Sequence, residues 1–358
     1  MMDLKARKDL LKELGIRLEQ ASREIAPEIP EISSEWSALL SAVQSKNPWF
    51  TRASVHRALC SWSAALAEPE IERWVSSCPI KDVPERILNV GVINAGNIPF
   101  VGLHDLLTVF MSGHRYVGKN ASDDPFLLPW IVQIMKSVSA SVEQSVGFAD
   151  KIIGMDAVIA TGSDNSARYF EYYFGKQPHV IRRNRNGVAV LSGKETEAEL
   201  KALGRDIFDY YGLGCRNVSK LYVPEGYDFS RLFESLYDYH EVMSHHKYMN
   251  NFDYHQAVYL LKRLPFLQNN FLILIEDERI PSPLAVVHYE KYKDISAAAD
   301  KLESLKESLQ CVVAGEETIA SGGFGRKGLP LVGFGRTQFP SLTDYADGVD
   351  TLRFLSGL

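Results

Sequence analysis

The sequence predicts an α/β protein of two units behind an N-terminal helical layer. Three observations lead there. From residue 86 short apolar runs alternate with helical stretches, the pattern of a parallel sheet with helices on both faces. A second strand–helix series begins at Gly187. Before residue 86 apolar residues recur only at helical spacing. The predicted division is an N-terminal helical region over 1–84, a nucleotide-binding domain over 85–185, a catalytic domain over 186–318, and a glycine-rich loop and tail over 319–358.

Residues 4–25 and 33–67 read as amphipathic helices, with Leu10, Leu11, Leu14 and Leu18 on one face and Pro27 and Pro30 as the break. Thr51 is placed to cap the helix after the Asn47-Pro-Trp-Phe turn. Strands are expected at 87–93, 114–119, 156–160 and 179–182, with helices at 101–112, 124–138 and from 163 to 174. The second series has strands at 187–191, 218–223, 271–276, 284–288 and 310–314. Its helices are expected at 195–211, 227–239 and 294–309, with a tail helix at 345–355. In parallel sheets ligands bind beyond the carboxyl ends of the strands. Asn94–Asn97, Lys119–Ser122 and Thr161–Ser163 are three polar turns at such ends, and they predict a nucleotide site.

Composition narrows the function. The 358 residues are 46% hydrophobic and 23% charged, ordinary for a globular protein. A net charge of −6 gives no electrostatic basis for nucleic-acid binding. Cys60, Cys78, Cys215 and Cys311 lie far apart, which argues against a disulfide framework or a cysteine-built zinc site and for a reduced, cytoplasmic setting. The charged stretch from Asp3 to Glu13 is unlike a signal peptide, and no apolar run is long enough to span a bilayer. Asn120-Ala-Ser122 and Asn217-Val-Ser219 fit the glycosylation sequon, and without secretion both are chance matches.

The stretch richest in chemistry is Asp209-Tyr-Tyr-Gly-Leu-Gly-Cys-Arg-Asn-Val-Ser-Lys220. A helix ends at its glycines, a strand begins at Val218, and Cys215 sits at the corner between them. Such a thiol can face a cleft beside backbone N–H groups, the donors an oxyanion needs. Arg216 and Lys220 are cations placed to favour its thiolate. The competing reading is a small buried core residue.

Taken in order, Asn94-Ala-Gly-Asn-Ile-Pro99, Tyr116-Val-Gly-Lys119, Ala160-Thr-Gly-Ser163 and Gly212-Leu-Gly-Cys-Arg-Asn-Val-Ser-Lys220 resemble the aldehyde dehydrogenase superfamily. Within it they are most similar to acyl-CoA reductases such as the reductase subunit of bacterial luminescence fatty-acid reductase complexes. The resemblance covers roughly residues 86–290 and implies an aldehyde dehydrogenase-like fold. By position it implies that Cys215 is the cysteine that forms an acyl thioester. Asn97 would then be the asparagine that binds the thioester oxyanion, where a turn former before Pro99 is the alternative. Lys119 matches the lysine that contacts the adenosine ribose, against a strand-end surface lysine. Gly162 and Ser163 match the helix start under the cofactor pyrophosphate, against an ordinary N-cap; Asn94, which opens the first turn, is a further cofactor-side candidate. Ser122 stands where NAD-preferring relatives carry a ribose-binding glutamate, so NADPH (NADP) is the expected cofactor, with no metal. Glu278 is the nearest match to the glutamate at the nicotinamide ribose, and an exposed loop acid is the alternative.

The general-base glutamate of hydrolytic relatives has no counterpart in Val180-Ile-Arg-Arg-Asn-Arg-Asn-Gly187. Thioester hydrolysis is therefore disfavoured and reduction favoured. The resemblance thus implies NADPH-dependent reduction of an acyl-CoA, with acyl-phosphate reduction or the reverse, CoA-acylating reaction as neighbours. A catalytically silent acyl-carrier or nucleotide-binding subunit is the non-enzymatic alternative. Homo-oligomers and an acyl-activating partner enzyme are expected. Gly323-Phe-Gly-Arg-Lys-Gly328 has the spacing of a dinucleotide fingerprint without the strand and helix that should flank it, and reads as a mobile loop near the active-site mouth. His240, His245, His246 and His255 lie close in sequence but lack the spacing of a zinc helix.

Overall fold

The computed structural model describes residues 2–358. The chain separates into two compact units: one runs to Asn184 and takes back Phe339–Leu358, the other is Arg185–Gln338.

The first unit opens with α1 (Leu4–Glu24), α2 (Ser34–Lys46), α3 (Arg52–Ala65) and α4 (Glu68–Ser76). Asp3, Ser33 and Thr51 cap the first three through side chains that accept a backbone N–H. The leucines at 10, 11, 14 and 18 are buried as their spacing predicts. There follow β1 (Asn89–Ile93), α5 (Leu103–Ser112), β2 (Arg115–Lys119), α6 (Leu127–Val138), α7 (Val142–Ser145), β3 (Val146–Phe148), β4 (Ala157–Thr161), α8 (Asp164–Phe174) and β5 (His179–Arg182). The five strands form one parallel sheet in the order β3-β2-β1-β4-β5. α1 packs on α5 and α6, so the helical layer covers one face of this sheet's helices.

The second unit contains β6 (Asn186–Val190), α9 (Glu197–Phe208), β7 (Val218–Pro224), α10 (Phe229–Leu236), α11 (His246–Leu261), β8 (Leu267–Gln268), β9 (Ile273–Glu276), β10 (Val286–Tyr292), α12 (Ile295–Ser304), β11 (Leu309–Val313), α13 (Glu316–Gly322) and β12 (Leu331–Val332). Its seven strands run β12-β11-β6-β7-β10-β9-β8, parallel except for β8 against β9. The glycine-rich stretch at 323–328 is not a loose loop: α13 ends there on left-handed Gly323, and Phe324 is fully buried in a core with Val188, Tyr222 and Leu302. The chain then returns to the first unit, where α14 (Thr351–Ser356) packs on α5.

Candidate active site

Each unit carries a candidate site of its own. In the first unit the strand order turns around between β1 and β4, the crevice position at which open α/β sheets bind ligands. The turn after β1, the end of β2 and the start of α8 all lie at that carboxyl edge. Gly96 lets two of these loops touch: a Cβ there would come within 2.6 Å of the Ala121 Cβ. Gly162 lets α8 start tight against its strand, since a Cβ would fall 2.8 Å from Ser166. The Ser163 hydroxyl accepts the Ser166 N–H at 3.3 Å and caps α8. The other first-turn N–H groups have no carbonyl within the helix, so this end favours an anion.

Lys119, Ser122 and Asn97 are exposed at this edge. Asn94 is not: its amide donates to the Tyr116 hydroxyl at 2.8 Å, and it packs against Gly102 with no room for a Cβ between. Asn94 therefore shapes the turn from within. Ser122 donates to the exposed carboxylate of Asp123 at 3.3 Å, so a negative charge stands beside it. Asp124 is buried, and burial raises its carboxyl to about 6. Sequence reasoning missed Asn47, which donates to the Gly96 carbonyl at 3.1 Å and fixes the turn that carries Asn97. A partner so distant along the chain leaves no local signal.

In the second unit the helix expected to reach residue 211 stops at Phe208. Tyr210 and Tyr211 take φ of 53° and 58° and are followed by Gly212 at 80°. Left-handed backbone at two bulky residues is strained, and such strain concentrates at functional sites. Gly214 to Asn217 then forms a turn closed by the Asn217 N–H on the Gly214 carbonyl at 3.0 Å, with Cys215 inside it. The Asn217 side chain clamps this turn. Its Oδ1 accepts the Gly214 N–H at 2.8 Å, and its amide donates to the carbonyls of Asp206 at 3.0 Å and Asp209 at 2.8 Å. Cys215 is the exposed cysteine; Cys60 is half-buried, and Cys78 and Cys311 are buried. The core-residue reading of Cys215 is thereby set aside.

Asn217 is the second residue that sequence reasoning missed, because its sequon match gives no hint of the clamp. Asn217→Ala takes a partner from the Gly214 N–H and from the carbonyls of Asp206, Ile207 and Asp209, at about 1–3 kcal/mol for each buried group that water does not reach. We expect lowered stability and slower alkylation or acylation at Cys215, measured by urea unfolding and by the rate of thiol labelling in the folded protein.

The cations placed near the thiol by sequence are engaged elsewhere. Lys220 is wholly buried, and its ammonium donates to Glu290 at 2.7 Å and to the Glu278 carbonyl at 2.6 Å. Arg216 donates to the Thr337 carbonyl at 2.6 Å. For Lys220 the register carries a bulge: Gly187 pairs with Val218 and Val188 with Lys220, which skips Ser219. Ser219 and Lys220 thus both reach the 277–285 loop, where Ser219 donates to the Ile280 carbonyl at 3.1 Å. Glu278 is exposed on that loop, two residues after β9 ends, and its carbonyl accepts the Lys220 ammonium at 2.6 Å.

His240 and His245 are used locally, the first on the Tyr237 carbonyl and the second capping α11. Among the described residues there is no group of three or more His, Cys, Asp or Glu that could hold a metal. None of their helices is long and apolar enough to cross a membrane.

No protein-family model matches this sequence, and no curated protein matches it. Solved structures do. Aldehyde dehydrogenase 21 of Physcomitrella patens, solved with the product succinate, superposes with a TM-score of 0.63 at 14% identity, over 97% of this chain and 80% of that one. An NAD-dependent benzaldehyde dehydrogenase of Corynebacterium glutamicum gives 0.62 at 13%, over 91% and 80%. An NADP dependent enzyme of E. coli gives 0.62 at 14%, over 93% and 77%. At such identities the likeness is one of fold, and the fold is that of the aldehyde dehydrogenases.

Proposed function

We propose that this protein reduces an acyl-CoA, most simply a fatty acyl-CoA, to the aldehyde with NADPH through a thioester on Cys215. The observation that carries the reading is the exposed Cys215 in a turn clamped by Asn217, in a chain with the aldehyde dehydrogenase fold. The first-unit edge fits a dinucleotide: it offers the N-terminus of α8, the tight Gly162 and the exposed Lys119 at a strand-order reversal. Gly162 and Ser163 would hold the pyrophosphate, Lys119 and Ser122 the adenosine ribose, and Glu278 the nicotinamide ribose. When bound, NADPH supplies the hydride.

The Cys215 thiolate attacks the thioester carbon. The carbon–sulfur bond to CoA breaks, and CoA leaves as the thiol with one proton. Asn97 and the Cys215 N–H donate to the oxyanion formed on the way. After hydride addition to the acyl carbon, the bond to Cys215 breaks, the aldehyde leaves and the thiolate returns. No carboxylate lies within residues 180–187 to activate water, which protects the thioester from hydrolysis. The same residues would serve the reverse, CoA-acylating oxidation or an acyl-phosphate donor. Homo-oligomers and an acyl-activating partner enzyme belong to the same reading.

The test is to mix protein, acyl-CoA and NADPH and follow cofactor oxidation together with aldehyde. Acylation of Cys215 without oxidation would favour a carrier subunit instead. Asn97→Ala should lower turnover by about 10²–10³ through loss of one oxyanion donor, read as kcat for aldehyde formation. Asp123 opposes a 2′-phosphate, so Asp123→Asn should raise the kcat/KM ratio of NADPH over NADH by about fivefold, the worth of one solvent-exposed charge pair at contact distance.

A further inference from the structure

We propose that the turn leaving α11 docks the protein on an anionic lipid surface. The inference does not depend on the acyl-CoA reading above, and each can fail without the other. Over residues 260–267 the chain reads Leu-Leu-Lys-Arg-Leu-Pro-Phe-Leu, and all four leucines are exposed, Leu260 by 61% and Leu261 by 84%. Tyr254, two turns before Leu261 on the same side of the helix, is exposed as well. Single apolar side chains on a surface are ordinary. Leucines this dense in one turn form a patch, and such patches mark a partner or a membrane.

The backbone of this tip suits an apolar setting. The Arg263 N–H donates to the Leu260 carbonyl and the Leu264 N–H to the Tyr259 carbonyl, both at 3.0 Å, the paired bonds that close a helix end. The Lys262 N–H donates to the Val258 carbonyl, also at 3.0 Å, and Pro265 has no N–H. From Lys262 to Pro265 every backbone donor is satisfied, so the tip can enter the headgroup boundary without stranding one. Arg263 has φ of 55°, at the position that glycine usually fills in such a turn.

The charges select the occupant. Lys262 and Arg263 are exposed between Leu261 and Leu264. No acidic residue occurs from Tyr254 to Ile275, in a chain whose net charge is −6. The flanking acids are Asp253, two turns back along α11, and Glu276, which is paired with Lys291 at 2.8 Å. Asp277, which lies near Tyr259, is paired with Arg279. Apolar side chains interleaved with cations are the pattern of segments that lie in the interface of an anionic bilayer, with the leucines at the acyl boundary and the cations at the phosphates. A two-fold contact with a second copy, centred on this tip, would instead set Lys262 and Arg263 against the same two cations.

The experiment is flotation of the full chain with vesicles of phosphatidylcholine alone and of phosphatidylcholine with about a third phosphatidylglycerol. The expected result is binding to the anionic vesicles that weakens as salt is added. Leu261→Ser with Leu264→Ser should weaken it by roughly tenfold or more, through loss of the inserted apolar surface. Lys262→Gln with Arg263→Gln should weaken it by about 25-fold, fivefold for each charge at the surface, and remove the preference for anionic vesicles. All four side chains are exposed, so the unfolding midpoint should hold, and the charge pair serves should the leucine pair not fold. Binding to neither kind of vesicle, or equal binding by the parent chain and both variants, would overturn the proposal. So would a dimer that the leucine pair abolishes in the absence of any vesicle binding, which would assign the patch to a second copy.

Discussion

Replacing Cys215 by alanine is expected to abolish acyl transfer, with aldehyde formation falling by about 10⁴-fold or more, as when an enzyme loses its nucleophile. The fold should not notice. Cys215 is exposed, and surface substitutions usually shift stability by less than about 0.5 kcal/mol. The two readouts together make the prediction sharp: unfolding midpoint unchanged, acyl adduct absent, cofactor oxidation absent. An alanine variant that still took an acyl group on another cysteine would point to Cys60, the next most accessible thiol. Retained turnover would remove the thioester route.

The second large effect concerns stability in the first unit. Arg182 on β5 and Asp105 on α5 are both almost fully buried, and they meet in two hydrogen bonds of 2.6 and 2.8 Å. Arg182 also donates to the Thr351 hydroxyl on α14 at 2.9 Å, so the pair ties the returning C-terminal segment to the sheet. Asp105→Ala would leave the guanidinium in the interior without its counter-charge. Breaking a buried pair in this way typically costs about 3–5 kcal/mol. Urea unfolding should show that loss. The double variant Asp105→Leu with Arg182→Met should recover most of it, because no charge is then left to desolvate. A single-variant loss below about 1 kcal/mol would mean that water reaches Arg182.

Periodicity and chain-local chemistry set how much of the fold is legible in the sequence. The core strands β1, β4 and β6 announce themselves as apolar runs between turns, and α1 by its buried leucines at 10, 11, 14 and 18. α11 does not: it buries Tyr248, Phe252 and Tyr259 but leaves Tyr254, Leu260 and Leu261 exposed, so its apolar residues mark no single face. β3 is three residues long, too short for alternation to signal. β10 runs on to Tyr292 through Glu290 and Lys291, whose charges hide it; Glu290 is held there by Lys220 and Lys301. The tail helix begins only at Thr351, since Asp347 and Gly348 have positive φ and Asp350 supplies the N-cap.

The candidate site divides along the same line. Cys215, Lys119, Gly162 and Ser163 fall where turn chemistry puts them, exposed or at a strand end. Lys220 looks like a cation for the thiol because a linear reading cannot see a bulge, and the bulge at Ser219 turns it inward to Glu290. Asn47 and Asn217 act by shaping backbone through the carbonyls of Gly96, Asp206 and Asp209. Nothing in their local sequence distinguishes them from any other loop asparagine.

The most direct test of the central claim is intact-mass analysis of the protein mixed with octanoyl-CoA, before and after NADPH is added. A single acyl mass on the peptide containing Cys215, discharged by NADPH as one equivalent of octanal, is the expected result. An adduct that NADPH leaves in place, or octanoate in place of octanal, would contradict it.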